Sequence, residues 1–141
     1  MSDETFMRRA LALATRAAGR TSPNPMVGAV IVKGGRVVGE GYHHAAGKPH
    51  AEVEALRKAG AKTRGATCYV TLEPCAMCLG ALLQARVRRL VFGARDPKAG
   101  AAGSVVDLTN VAVFNHHLEV VSGVRAAECA ALLQRFFAAR R

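Results

Sequence analysis

His50-Ala51-Glu52 and, further along, Pro74-Cys75-Ala76-Met77-Cys78 constrain the fold more than any other feature, because they make sense only if the chain brings them together. One imidazole and two thiolates three residues apart form a ligand set suited to zinc. A structural zinc site is usually closed by four Cys or His ligands. Three protein ligands leave a fourth position where water can bind and become acidic, so the pattern reads as a catalytic zinc site with one ion per chain. Glu52, two residues from His50, is the candidate proton carrier between that water and a substrate. A Cys-x-x-Cys redox pair would have no need of His50-x-Glu52, and a merely structural site would have no need of Glu52.

Local patterns show how the segments can meet. Apolar residues at Phe6, Ala10, Leu11, Leu13 and Ala14 mark a helix from Met1 to Gly19, followed by a loop with Pro23 and Pro25. Val27–Val32 and Arg36–Tyr42 flank Lys33-Gly34-Gly35 as a hairpin, and both runs are apolar enough to be expected inside a sheet covered on both faces. A helix runs from Ala51 to Gly60 with Val53, Leu56 and Ala59 on its apolar side, then a strand over Thr67–Leu72, then a helix opening at Pro74-Cys75. Arg89–Gly93 and Leu118–Val121 read as strands around a Gly/Ala-rich loop over Asp96–Ser104. Ala126–Arg141 closes the chain as a helix with Cys129, Leu132, Leu133, Phe136 and Phe137 on one stripe. The order implies an α/β fold, a three-layer α/β/α sandwich around a central mixed five-stranded sheet, and 141 residues suit one domain spanning the whole chain. Both ligand segments then fall at helix starts, where partial positive charge favours thiolates at Cys75 and Cys78.

The formal net charge of +10 is large for so short a chain, and basic pairs recur at Arg8-Arg9, Arg88-Arg89 and Arg140-Arg141. Such a surface favours a polyanionic partner, or else serves solubility alone. No apolar run is long enough to span a membrane, and arginines interrupt the first helix where a secretory signal would be apolar, so a cytoplasmic location is expected. Cys68 and Cys129 read as small buried hydrophobes. His116-His117 allows a second metal site but fits solvated or substrate-side histidines better, and Glu73 has no role that the sequence reveals.

With these residues in view, the chain resembles two branches of the cytidine deaminase-like superfamily. From Thr21-Ser-Pro-Asn-Pro-Met-Val-Gly-Ala-Val-Ile-Val32 through Pro49-His-Ala-Glu52 to Ala66-Thr-Cys-Tyr-Val-Thr-Leu-Glu-Pro-Cys75, it is similar to the riboflavin-pathway deaminases, which act on a diaminopyrimidine ribosylamino phosphate. From Cys75-Ala-Met-Cys78 through Val91–Ser104 and Phe114-Asn-His116 to Glu128-Cys-Ala-Ala-Leu-Leu132, it is similar to bacterial tRNA-specific adenosine deaminases. The first branch has a longer insertion between its ligand cysteines and a reductase domain behind them; the second has Asn where this chain has His43.

The resemblance implies the cytidine deaminase-like fold, hydrolytic nucleobase deamination, zinc on His50, Cys75 and Cys78, and Glu52 as the acid/base. It further implies substrate contacts at Asn24, His43, Ala51, Arg95, Asp96 and Lys98, with Arg140-Arg141 close to RNA, and a homodimer formed through Leu79–Gln84 and Arg86. Conversion of wobble adenosine to inosine in a tRNA anticodon arm leads, because charge and the C-terminal half agree on it. A small phosphorylated pyrimidine held by Asn24, His43 and Lys48 is the alternative, with single-stranded DNA or a non-catalytic RNA-binding module behind it.

Overall fold

Two layers of helices cover opposite faces of one five-stranded sheet in the computed structural model, which describes residues 2–17, 20–21 and 24–139. In chain order the elements are α1 (Asp3–Ala14), β1 (Gly28–Lys33), β2 (Arg36–Tyr42), α2 (Ala51–Ala59), β3 (Thr67–Leu72), α3 (Ala76–Gln84), β4 (Arg89–Ala94), β5 (Glu119–Ser122) and α4 (Ala126–Ala139). The sheet order is β2-β1-β3-β4-β5. β1 is antiparallel to both β2 and β3, whereas β3, β4 and β5 run parallel, so the sheet is mixed as expected. Gly19, Ser22, Pro23, Arg140 and Arg141 lie outside the described residues.

Alternation along the central strands builds two cores. Ala29, Ile31, Cys68, Val70, Leu90 and Phe92 face α2 and α3, while Val30, Val32, Tyr69 and Val91 face α1 and α4. The hairpin turns tightly at Gly34 and Gly35, whose φ values of 60° and 77° suit the two-residue turn that matches strand twist. Asp3 ties α1 to the sheet by accepting from Arg89 Nη1 and Nη2 at 2.9 and 2.6 Å and from Tyr69 Oη at 2.6 Å.

Five local expectations are corrected. β2 is an edge strand with partly exposed residues, because β1 is its one strand neighbour among the described residues. The buried stripe of α2 is Ala51, Ala55 and Ala59, with Val53 and Leu56 only partly buried. The reason is close packing: a Cβ on Gly39 would run into Ala55 and Ala59, and one on Gly41 into Ala51 and Glu54, so small faces meet on both sides. α3 opens at Ala76 with Cys75 as its N-cap, leaving Pro74 just outside the helix. Finally, α1 ends at Ala14 in a short 3-10 turn, and Phe137 turns outward from the α4 stripe while Cys129, Leu132 and Phe136 are buried.

Candidate active site

α2 and α3 begin alike, and that likeness builds the site. His50 is the N-cap of α2 and Cys75 the N-cap of α3; both have extended backbones (φ −71°, ψ 163° and φ −73°, ψ 173°) and neither side chain caps its own helix. The side chains that would ordinarily satisfy free N–H groups are therefore available to an ion. His50 Nδ1 lies 3.2 Å from Cys78 Sγ and 3.8 Å from Cys75 Sγ, and the three ligand atoms all fall within 4.8 Å of one another. Ideal tetrahedral zinc would separate its N and S ligands by about 3.6 Å. The donor set fits that ion in chemistry and in spacing, and it is the one such cluster among the described residues.

The two thiols polarise each other in opposite directions. A hydrogen bond from Cys78 brings Cys75 down to about 5, against the opposing effect of burial, and nearby His50 helps. The same bond, with burial, pushes Cys78 up. One thiolate is thus ready as a ligand, and a dication would deprotonate the second.

Glu52 is 4 % exposed on the first turn of α2. Burial, first, raises its carboxyl to about 7, its own backbone amide opposes that, and the charge on Cys75 adds to it. A carboxyl poised there can both accept and return a proton near neutrality.

A cavity of about 180 Å³ opens beside these groups, lined by His50, Ala51, Glu52 and Cys75 on one side and by Asn24, His43, Glu73, Asp96 and Ala99 on others. That is below the roughly 300–1,000 Å³ of drug-sized pockets and suits one flat heterocycle. Of the residues expected to touch substrate, Asn24, His43, Ala51 and Asp96 reach the lining. Arg95 and Lys98 are exposed outside it, Arg95 over the Phe92 ring at 5.5 Å and Lys98 over Phe137 at 5.7 Å. Lys48 is also exposed and absent from the lining.

His116 and His117 bond through Nε2 to the carbonyls of Val87 at 2.7 Å and Val111 at 2.9 Å, so they pin a loop and join no metal cluster among the described residues. Glu73 is the residue that sequence reasoning missed: it is 2 % exposed and receives bonds from Asp96, Ala102 and Ser104. The available signal was an acid between an apolar strand and Pro74-Cys75, with a loop rich in N–H donors following.

Residues 1–94 match the family described as cytidine and deoxycytidylate deaminase zinc-binding region. The riboflavin biosynthesis protein RibD of Escherichia coli strain K12 is 56 % identical over 109 residues, which are 73 % of this chain and 30 % of that protein. A tRNA-specific adenosine deaminase of Haemophilus influenzae is 46 % identical over 150 residues, covering 99 % of this chain and 85 % of the relative. The solved structure of Acinetobacter baumannii RibD superposes with a TM-score of 0.83 at 42 % identity, covering 97 % of this chain and 39 % of that one. The chain therefore spans about a third of the length of the RibD proteins it matches. With both ligand segments inside the matched region, the chain belongs to the cytidine and deoxycytidylate deaminase zinc-binding family.

Proposed function

We propose that the chain is a hydrolytic deaminase that converts adenosine to inosine at the wobble position of a tRNA anticodon arm, as one cytoplasmic domain over residues 1–141. The observation that carries this reading is the division between cavity and charge. The cavity has room for a base, and no Lys or Arg is among its described lining residues, although the chain's net charge is +10. A substrate whose phosphates are held outside, on an exposed cationic surface bearing Arg95 and Lys98, is a nucleotide within a polymer, its base flipped inward. The resemblance to a tRNA-specific adenosine deaminase over nearly the whole chain supports the same reading.

In this scheme a zinc ion held by His50, Cys75 and Cys78 supplies Lewis acidity, which draws the pKa of water towards neutrality. Glu52 takes a proton from the attacking water and delivers it to the ring nitrogen. It then takes the proton of the new hydroxyl on the ring carbon and gives it to the leaving amine, so that the C–N bond breaks, ammonia departs and the hydroxyl oxygen becomes the ring carbonyl. Asn24, held by His43, orients the base.

A second reading rests on Asn24 and His43 themselves. Both line the cavity and both belong to the segment that resembles the riboflavin-pathway deaminases, so a diaminopyrimidine ribosylamino phosphate is the competing substrate. The experiment is ammonia release by the zinc-loaded protein offered, in parallel, an anticodon stem-loop with wobble adenosine and that small phosphate. Inosine formation that weakens steeply with salt is the expected result; turnover of the small phosphate alone would replace the first reading by the second.

A further inference from the structure

We propose that Glu73 is a positioning residue that fixes the substrate-side wall of the cavity at its distance from the metal ligands. The proposal deepens the deaminase reading, and it rests on a match between donors and lone pairs. Glu73 follows β3 directly, its own N–H bonding the carbonyl of Ala94 at 2.8 Å, and Cys75 stands two residues on. An ionised carboxylate offers about four acceptor sites. Four donors converge on this one: Asp96 N–H at 3.1 Å and the Ser104 hydroxyl on Oε1, Ala102 N–H at 2.9 Å and Ser104 N–H at 3.1 Å on Oε2.

All four donors come from a single loop, residues 96–104, and that loop supplies Asp96 and Ala99 to the cavity lining, where Glu73 joins them. Gly100 packs so closely that an added Cβ would strike the carboxylate. Two further bonds shape the wall: Ala101 N–H donates to the Pro74 carbonyl at 2.8 Å, and the Asp96 carboxylate accepts from the amides of Lys98 and Ala99 at 3.0 and 3.2 Å. The loop is therefore wound around Glu73 and anchored beside the metal motif. No uncharged side chain of this size could accept all four bonds. Glutamine would keep one oxygen and turn an NH2 group towards N–H donors, leaving part of the wall without a partner.

The test substitutes Glu73→Gln and reads three quantities. Zinc content should stay at one per chain, because no ligand is touched. Amide exchange at Asp96, Ala102 and Ser104 should speed up by at least about tenfold while amides of β3 and β4 keep their protection, since only the loop loses its anchor. With whichever of the two candidate substrates the wild type turns over, KM should rise about tenfold and kcat should change by less than about threefold, the signature of lost positioning as opposed to lost chemistry.

Unchanged exchange in the loop, or a fall in kcat at constant KM, would overturn the proposal. If the wild type deaminates neither substrate, the functional reading fails, and the exchange data alone decide whether Glu73 holds the wall. Should Glu73→Gln not fold, Ser104→Ala removes one bond and Gly100→Ala presses on the carboxylate; both should shift exchange and KM in the same direction, and no shift in either would overturn the assignment.

Discussion

Asn24 Nδ2 lies 3.2 Å from His43 Nε2, and the opposite ring nitrogen of His43 lies 3.1 Å from the Pro49 carbonyl. A carbonyl can only accept, so His43 Nδ1 carries a proton; in the neutral ring Nε2 accepts from the Asn24 amide, which fixes which end of Asn24 His43 engages. His43, 2 % exposed, thus orients Asn24 and has no ring nitrogen to spare. Replacing His43 by Ala should lower kcat/KM by about tenfold, the scale of one polar contact, with bound zinc unchanged. Metal analysis beside steady-state kinetics checks this; an unaffected kcat/KM would show that the His43–Asn24 contact does not matter.

Glu52→Gln preserves size and polarity but cannot shuttle a proton. Turnover should fall by at least about 10²-fold, while the melting temperature and zinc stoichiometry stay close to wild type. Equal turnover would assign the proton transfers elsewhere.

The ion pair between Asp3 and Arg89 makes stability depend on acid pH. The hydrogen bond from Arg89, first, holds the Asp3 carboxyl below its ordinary value; burial opposes this, and bonding from Tyr69 and the charge of Arg89 reinforce it. A depressed carboxyl contributes stability above its unfolded value near 3.8, and that contribution is lost as pH falls through the lower folded value. Since both side chains are partly exposed, Asp3→Asn should cost only about 1 kcal/mol at pH 7 and almost nothing below that range. Urea unfolding at several pH values measures the difference; a constant gap would contradict the linkage.

Gly39 and Gly41 bring β2 against α2, whose N-cap is His50. Adding a methyl group at Gly39 should destabilise the fold by about 1–3 kcal/mol through overpacking, and should weaken zinc retention by shifting α2. Competition with a chelator during thermal melts reads both; wild-type behaviour would mean that the helix moves aside at no cost.

Exposed Val113 and Phe114 line a groove with Gly80, Leu83, Gln84 and Arg86, and a homodimer through α3 would cover them. Val113→Glu together with Phe114→Glu should turn a dimer into a monomer in sedimentation at micromolar concentration. A wild-type protein that already sediments as a monomer would remove the dimer.

The ligands were legible because their signals are local. Cys75 and Cys78 are three positions apart, so helix geometry alone places them on one side, His50 and Glu52 stand together at the start of a second helical pattern, and apolar periodicity is enough to order strands and helices around them. Three-dimensional packing had to settle whatever depends on partners far apart in the chain. The edge position of β2, despite its apolar run, follows from which strands β1 pairs with. The buried face of α2 followed the glycines of β2 in preference to its own larger apolar residues.

The same holds for polar groups. His43 lines the cavity with both ring nitrogens already bonded, to Pro49 and to Asn24, and Arg95 and Lys98 are charged and nearby in sequence yet lie outside the cavity lining. Glu73 acquires its role from four donors on a loop that begins 23 residues later. Residue type announces a hydrogen-bonding capacity, but only folding decides which donors and acceptors use it up. The chain alone therefore specifies the chemistry of the site, and tertiary structure specifies which groups remain free to perform it.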